Sequence, residues 1–157
     1  MDLHPALQPL ATLVGTWEGA GHGEYPNIRP YGYIEELTFT NIGKPFLVYR
    51  QRTWNSDNQL MHVETGYLRL PSPERVEFVL AQPTGQVELA EGHLEAVDRA
   101  VRIYLEGKIL NTSTAKQVDA TARRYTLIGD ELATSFDMAT GQYPIQRHLT
   151  SELTRSK

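Results

Sequence analysis

Cysteine is absent from the 157-residue sequence. That absence excludes a disulfide framework, an iron–sulfur cluster, a cysteine zinc site and a thiolate haem ligand, and it fits a reducing compartment. A chain of this length can bury roughly 68–70% of its unfolded surface, so it needs neither a disulfide nor a structural metal to fold. We therefore expect one domain spanning residues 1–157.

Positive charge and long apolar runs are also scarce. The formal net charge is −4 at pH 7, and Lys and Arg are scattered singly, which gives no electrostatic basis for binding nucleic acid or an anionic membrane. No run of about 18 apolar residues could span a bilayer, and residues 1–15 lack the basic start and continuous apolar core of a signal peptide. We expect no nucleic-acid or membrane partner, and a cytoplasmic location.

The most distinctive stretch is Gly15-Thr16-Trp17-Glu18-Gly19-Ala20-Gly21, which continues to Pro26. Glycine lets a strand bulge or admit a neighbour at close range, and Trp17 supplies a large buried anchor. One interpretation is a strained first strand of a barrel, and another is a floor for a flat ligand. A phosphate-binding glycine loop is excluded because no hydrophobic strand precedes the glycines and no helix follows before Pro26.

Residues 1–14 predict a short helical segment. Leu3, Leu7, Leu10 and Val14 follow helical spacing, and Asp2 is available as an N-cap. Pro9 interrupts the pattern, so we expect one or two turns whose leucines plug one end of the fold.

From Tyr31 onward the apolar pattern changes to a period of two, broken by turn signals. Regularly spaced strands of this kind favour an antiparallel barrel, because closing a meander removes its exposed edges. We expect an all-β, up-and-down barrel over residues 15–157, capped by residues 1–14, with room for one small ligand. The later predicted strands are 46–54, 59–70, 75–82, 87–96, 101–108, 116–127, 132–138 and 145–154.

None of the five histidines forms an HExxH or HxH pair, which argues against a zinc site. A single histidine can still bind haem iron, since the porphyrin supplies four other ligands. His148 lies in the last predicted strand, where alternation places it opposite Leu149 and Leu153. The pattern does not decide which face is inside, and a half-exposed strand histidine is the alternative.

Acidic residues are numerous, but no nucleophile motif accompanies them. Glu35 and Glu36 are adjacent and point to opposite faces of a strand, so they cannot act as a pair on one substrate. Glu64 lies in the middle of another strand. We expect these carboxylates to be solvated.

The motif Gly15-x-Trp17-x-Gly19-x-Gly21, followed by Gly23-x-Tyr25-Pro26, resembles the GxWxGxGxGxYP signature of the nitrobindins, which are small haem-binding barrels distantly related to fatty-acid-binding proteins. The resemblance covers nearly the whole chain, in order. It continues through Ile28-Arg29-Pro30, Glu35-Glu36, Gly43-Lys44-Pro45-Phe46-Leu47, Glu64-Thr65-Gly66-Tyr67-Leu68-Arg69, Thr114-Ala115-Lys116 and His148-Leu149.

The resemblance implies a ten-stranded antiparallel barrel that holds one ferric haem b near an open end, with His148 as the axial iron ligand. Lys116 matches a family lysine at the haem site, where an ammonium group pairs with a haem propionate. Asn27 stands where the family usually carries threonine. His22, inside the glycine-rich stretch, is a candidate for the distal side.

The resemblance further implies reversible nitric oxide binding and isomerisation of peroxynitrite to nitrate on the ferric iron, and it allows a homodimer. Two alternatives remain at this point. One is a haem-free barrel that carries a fatty acid or another small apolar ligand. The other is a gas sensor that binds haem and nitric oxide without turnover.

Overall fold

The computed structural model describes residues 1–156 as one short 3₁₀ helix followed by ten strands. Neighbouring strands are antiparallel and follow the order β1-β10-β9-β8-β7-β6-β5-β4-β3-β2, which closes the sheet. The predicted ten-stranded up-and-down barrel is therefore confirmed. The strands are β1 (Gly15–Tyr25), β2 (Ile28–Asn41), β3 (Leu47–Trp54), β4 (Leu60–Ser72), β5 (Arg75–Gln82), β6 (Gln86–Val97), β7 (Ala100–Asn111), β8 (Ala120–Ile128), β9 (Glu131–Ala139) and β10 (Gln146–Arg155).

Strand boundaries follow the predictions closely except at β8. That strand begins at Ala120, so Lys116 lies in the preceding loop, residues 112–119, and not in a strand as predicted. The reason is that the Asn111 side chain, and not a neighbouring strand, pairs with the backbone of Val118. The Asn111 amide donates to the Val118 carbonyl at 2.9 Å, and its oxygen accepts from the Val118 N–H at 3.0 Å.

The N-terminal helix, Pro5–Leu13, closes one end of the barrel, as predicted. Its three-residue turns stack Leu7, Leu10 and Leu13 on one face, and all three are buried. His4, not Asp2, caps it, because the His4 Nδ1 accepts the Ala6 N–H at 3.2 Å. No helix within residues 1–156 has the length and apolar character needed to cross a membrane.

The barrel interior changes character along its axis. At the helix end Trp17 is fully buried and donates its indole N–H to the Leu13 carbonyl at 2.9 Å, above a continuous apolar core. Toward the other end the inward residues become polar and then line a cavity. Because consecutive strands are antiparallel, the connections at residues 26–27, 55–59, 83–85, 112–119 and 140–145 all lie at this second, open end.

The glycine-rich strand β1 admits close neighbours, as its sequence predicts. A methyl group at Gly21 would overlap the Tyr33 ring, and one at Gly23 would overlap the Tyr31 ring. Both tyrosines come from β2 directly across the pair. The missing side chains therefore make room for two aromatic rings that lie on the strand.

Gly19 has a different constraint, because a methyl group there would overlap the Glu152 carbonyl on β10. A backbone oxygen cannot rotate away, so Gly19→Ala should open the β1–β10 pairing and lose about 1–3 kcal/mol of unfolding free energy. Urea denaturation measures the loss. The control is Gly32→Ala, whose added methyl would meet no atom closer than 3.8 Å. Equal stability of the two variants would contradict this packing.

Candidate functional site

A cavity of about 330 Å³ occupies the open half of the barrel, within the size range of small-ligand sites. Its walls combine aromatic, apolar and polar side chains from most of the strands. Aromatic and apolar lining residues include Tyr31, Tyr33, Met61, Ile109, Val118, Phe136, Met138 and Leu149, and His62 and His148 are the two histidines among the lining residues.

A β-bulge directs His148 into this cavity. Arg147 pairs with Asp137 and Leu149 pairs with Phe136, so His148 is the extra residue between two consecutive partners on β9. Simple alternation would place His148 on the face opposite Leu149, but both line the cavity. A bulge changes the direction of side chains locally, which resolves the question that strand periodicity left open.

The His148 ring is fixed in orientation and protonation. Its Nδ1 lies 2.9 Å from the Glu24 carbonyl, and because a carbonyl only accepts, Nδ1 carries the hydrogen. Tyr25 packs edge-on against the ring, with centroids 5.4 Å apart, and Phe136 lies at 6.2 Å. Burial lowers the pKa of His148. The neutral ring therefore keeps the Nε2 lone pair free, as in metal-binding histidines that donate their other N–H to a carbonyl.

Beneath the cavity, a buried ion-pair network crosses the barrel. Arg123 on β8 donates to Glu88 on β6 from Nε and Nη2, both at 2.8 Å. It also donates to Glu64 on β4 from Nη1 at 2.8 Å and Nη2 at 3.1 Å. Tyr49 donates to Glu64 at 2.9 Å, and Thr121 donates to Glu88 at 2.8 Å. The network thus joins strands that are not neighbours in the sheet.

The network sets the protonation of its members. Burial alone would raise the pKa of Glu64, but the Arg123 guanidinium holds it well below its usual range. Burial likewise opposes the charge on Arg123, but Glu64 and Glu88 keep its pKa well above the usual value. Burial raises the pKa of Tyr125 to about 12. Arg123 and Glu64 are therefore charged at neutral pH.

Glu35 is a third buried carboxylate, outside this network. Ser151 donates to its Oε2 at 2.8 Å, and the Tyr33 hydroxyl lies 2.9 Å from the Ser151 oxygen. Burial raises the pKa of Glu35 to about 7.

The expectation that Glu35 and Glu64 are solvated is wrong, since they are only 2% and 3% exposed. The reason is barrel geometry: the inward face of each strand is apolar near the helix and polar near the cavity, so a carboxylate at an inward position is buried against other strands. Glu36 is the outward residue of its pair, and it binds Arg52. The parity of Glu35 with Tyr33, Leu37 and Phe39 is the sequence signal that indicates the inside.

Comparison with known families gives the cavity a chemical context. The family described as "THAP4-like, heme-binding beta-barrel domain" matches residues 6–155. The chain belongs to this haem-binding barrel family. The nitrobindin resemblance of the sequence motifs is thereby confirmed.

Relatives extend over almost the full length of the chain. It is 46% identical to the peroxynitrite isomerase of Nocardia farcinica over 98% of this chain and 92% of that protein. It is 45% identical to peroxynitrite isomerase 2 of Mycobacterium marinum over 98% of this chain and 97% of that protein. The crystal structure of Rv2717c from M. tuberculosis has a TM-score of 0.97 and 43% identity, covering 99% of this chain and 100% of that one.

The residues of this haem-binding barrel fit a haem group. The free His148 Nε2 is a suitable axial donor, and the tyrosine, phenylalanine, methionine and leucine walls offer flat apolar contact. Among the motif residues, Trp17 and Gly15 lie at the closed end, and Gly19 and Gly21 lead along β1 toward the cavity. The motif therefore builds the barrel wall from end to end.

The other predicted site residues lie outside the cavity lining. Lys116 is exposed in loop 112–119, and Asn27 is exposed in the turn between β1 and β2. Both lie at the open end. Val118, two residues after Lys116, lines the cavity, and Tyr25, two residues before Asn27, packs against the His148 ring. Their haem contacts stay predictions. His22 is exposed on the outer face of β1, so the distal-side role suggested for it is wrong.

Replacing Arg123 should destabilise the barrel strongly. Arg123→Met leaves Glu64 and Glu88 buried without their cation, which costs about 3–5 kcal/mol near pH 7. The loss should be smaller at low pH, because protonated carboxyls need no cation. Urea unfolding at two pH values measures both effects. The control Arg124→Met removes an exposed guanidinium that lies 5.7 Å from the Tyr104 ring, and should cost less than about 1 kcal/mol. Equal losses for the two arginines would refute the importance of the network.

Proposed function

We propose that this chain binds one ferric haem b per molecule through His148 Nε2 and isomerises peroxynitrite to nitrate. The observation that carries the proposal is the His148 ring, turned into the cavity by a bulge and held with Nδ1 on the Glu24 carbonyl at 2.9 Å. Membership in a haem-binding family supports the cofactor, and the names of relatives 45–46% identical over nearly the whole chain support the reaction.

The isomerisation of peroxynitrite to nitrate requires little acid–base chemistry from the protein. Peroxynitrite and nitrate contain the same atoms and carry the same charge, so no proton or electron is gained or lost overall. When bound, haem iron supplies the electrophilic centre at which the peroxide oxygens are rearranged. The protein's own residues would bind and orient the haem: His148 would donate Nε2 to the iron, and the Glu24 carbonyl and Tyr25 ring keep the imidazole from rotating.

Nitric oxide binding follows from the same arrangement. A small neutral ligand loses little hydration on entering the cavity, whose lining includes the apolar side chains of Met61, Ile109 and Val118. We propose reversible nitric oxide binding as a second property of the haem-loaded protein.

The ion-pair network argues against the alternative of a haem-free fatty-acid carrier. A buried fatty-acid carboxylate needs a cation or several hydrogen-bond donors. Arg123 is the one buried guanidinium within residues 1–156, and its donors are already directed at Glu64, Glu88 and Tyr125. An added carboxylate would also meet two carboxylates of like charge.

Replacing His148 should abolish the site while keeping the fold. A haemin titration followed at the Soret band should show one equivalent bound by the natural protein and none bound tightly by His148→Leu. Stopped-flow decay of peroxynitrite should be accelerated by the loaded natural protein beyond free ferric haem. The physical reason is the loss of the axial nitrogen that fixes the iron.

Two other histidines give matched controls. His62→Leu changes the second cavity histidine, and His93→Leu changes an exposed histidine stacked on Tyr104 on the outer surface. Both should bind haemin as tightly as the natural protein and with the same Soret spectrum. If His62→Leu loses haem and His148→Leu keeps it, His62 is the iron ligand and the assignment to His148 is wrong. If neither the natural protein nor His148→Leu binds haemin tightly, and the natural protein takes up an apolar probe, the alternative of a small-apolar-ligand carrier is favoured.

We also propose that Lys116 pairs with a haem propionate at the open rim and that Asn27 contacts haem in place of the usual threonine. Loop 112–119 and the β1–β2 turn both border the mouth of the cavity, which supports these roles.

Lys116→Met should weaken haemin binding about two- to fivefold at low salt, the range expected for an exposed ion pair, and less at high salt. The measurement is a haemin titration at two ionic strengths. Lys44→Met is the control, since Lys44 lies in the β2–β3 connection at the closed end. An equal effect of both lysines would indicate general electrostatic attraction and not a propionate contact.

A further inference from the structure

The proposed reaction leaves Glu35 without a role, although it lines the cavity and is 2% exposed. A carboxylate buried this deeply is costly when charged unless a cation or several donors compensate it. Its position between the haem site and the apolar core makes its charge part of the environment of any bound ligand.

The buried charges in the described part of the barrel do not balance. Glu35, Glu64 and Glu88 are buried carboxylates, and Arg123 is the buried guanidinium. With all of them ionised, the interior would carry two net negative charges. A proton on one carboxyl reduces that to one, at lower electrostatic cost.

Glu35 is the carboxyl best placed to hold that proton. Glu64 and Glu88 each receive two hydrogen bonds from Arg123, whereas the partners of Glu35 are neutral. Burial raises the pKa of Glu35 to about 7, and the charge of Glu64 adds to that effect, while Ser151, Gln51 and Arg123 act in the opposite direction. At mildly acidic pH a proton therefore resides on Glu35, and it is lost as the pH rises through about 7.

Titratable and charged groups surround Glu35 from several strands. Tyr31 and Tyr33 share β2 with it, β1 presents glycines at this level, and β10 presents Ser151. Tyr49 lies on the neighbouring strand β3, and His148 on β10 also lines the cavity. The groups on the other strands are His62 and Glu64 on β4, Glu88 on β6, and Arg123 and Tyr125 on β8. Burial raises the pKa of Tyr33, Tyr49 and Tyr125. None of the tyrosines therefore changes charge near neutral pH.

We propose that Glu35 is a proton-binding residue of the cavity and that its ionisation lowers the affinity of the site for anionic ligands. The proposal rests on the proposed function, because the anion is taken to bind at the haem iron. With Glu35 neutral, an anion entering the cavity meets one net negative charge. With Glu35 ionised, it meets two.

The expected size of the effect is measurable. Two like charges about 10 Å apart, at an effective dielectric constant of about 20, repel enough to change a binding constant roughly tenfold. Peroxynitrite is an anion, so the loss of the Glu35 charge at lower pH would favour its entry. A neutral ligand such as nitric oxide should not respond.

The first experiment follows the proton in the haem-free protein. Carbon NMR of glutamate labelled at the side-chain carboxyl should show one resonance titrating near neutral pH in the natural protein. Glu35→Gln should lose that resonance, and the control Glu36→Gln, one residue away on the outer face, should keep it. Ser151→Ala should raise its midpoint, because the Ser151 hydrogen bond favours the ionised form.

The second experiment uses azide as the anionic probe of the ferric, haem-loaded protein. From pH 6 to 8.5 the azide dissociation constant of the natural protein should rise roughly tenfold more than that of Glu35→Gln. Effects common to both proteins, such as azide protonation and ionisation of iron-bound water, cancel in this comparison. Nitric oxide affinity should change equally in both.

The outcomes separate the two proposals. Failure of the natural protein to bind haemin removes the proposed function, and the haem-free titration still tests the proton on Glu35. Haem binding with no carboxyl titrating near neutral pH overturns the proton site. Superimposable azide profiles for the natural protein and Glu35→Gln overturn the control of anion affinity.

Discussion

The double ion pair of Arg123 with Glu64 and Glu88 is the constraint on which the interior of this barrel depends. Four hydrogen bonds of 2.8–3.1 Å connect β4, β6 and β8, which the backbone ladder does not join directly. Desolvating three charges is costly, and only such complete pairing compensates the cost. The pairing also fixes a boundary, with tight apolar packing on the helix side and an open cavity on the other.

That boundary explains how a small barrel keeps a cavity without collapsing. Apolar side chains would tend to close empty space, because voids forfeit contact energy. The network of Arg123, Glu64 and Glu88 cannot move into the cavity without breaking its hydrogen bonds. The cavity walls are then held from the other side by Tyr31 and Tyr33, whose rings lie on glycines of β1. Trp17 and Leu13 close the far end through one hydrogen bond of 2.9 Å.

Much of this architecture could be predicted from the sequence. The two-residue period, the turn signals and the leucines before Gly15 specify a capped barrel, and β5 was bounded correctly at 75–82. The glycine pattern predicted close neighbours, although not which rings would fill the space. The two-residue period does not predict which way His148 points, because a bulge adds one residue to β10 and no residue type there indicates it. It failed at Lys116 for a related reason, since Asn111 satisfies the Val118 backbone and delays β8.

The prediction that Glu35 and Glu64 are solvated was wrong because their hydrogen-bond partners lie far away in the sequence. The parity of Glu35 with Tyr33 and Leu37 indicates the inside, but the energetic cost of burying an uncompensated charge argues against that position. Compensation comes from Ser151, more than a hundred residues later in the chain, and for Glu64 from Arg123 on another strand. Barrel closure creates these partners, so a buried charge becomes intelligible only with the whole sheet. In this barrel the residues least expected from local pattern are the polar ones that set the charge of the cavity. The histidine proposed to bind iron needs only one carbonyl to orient it.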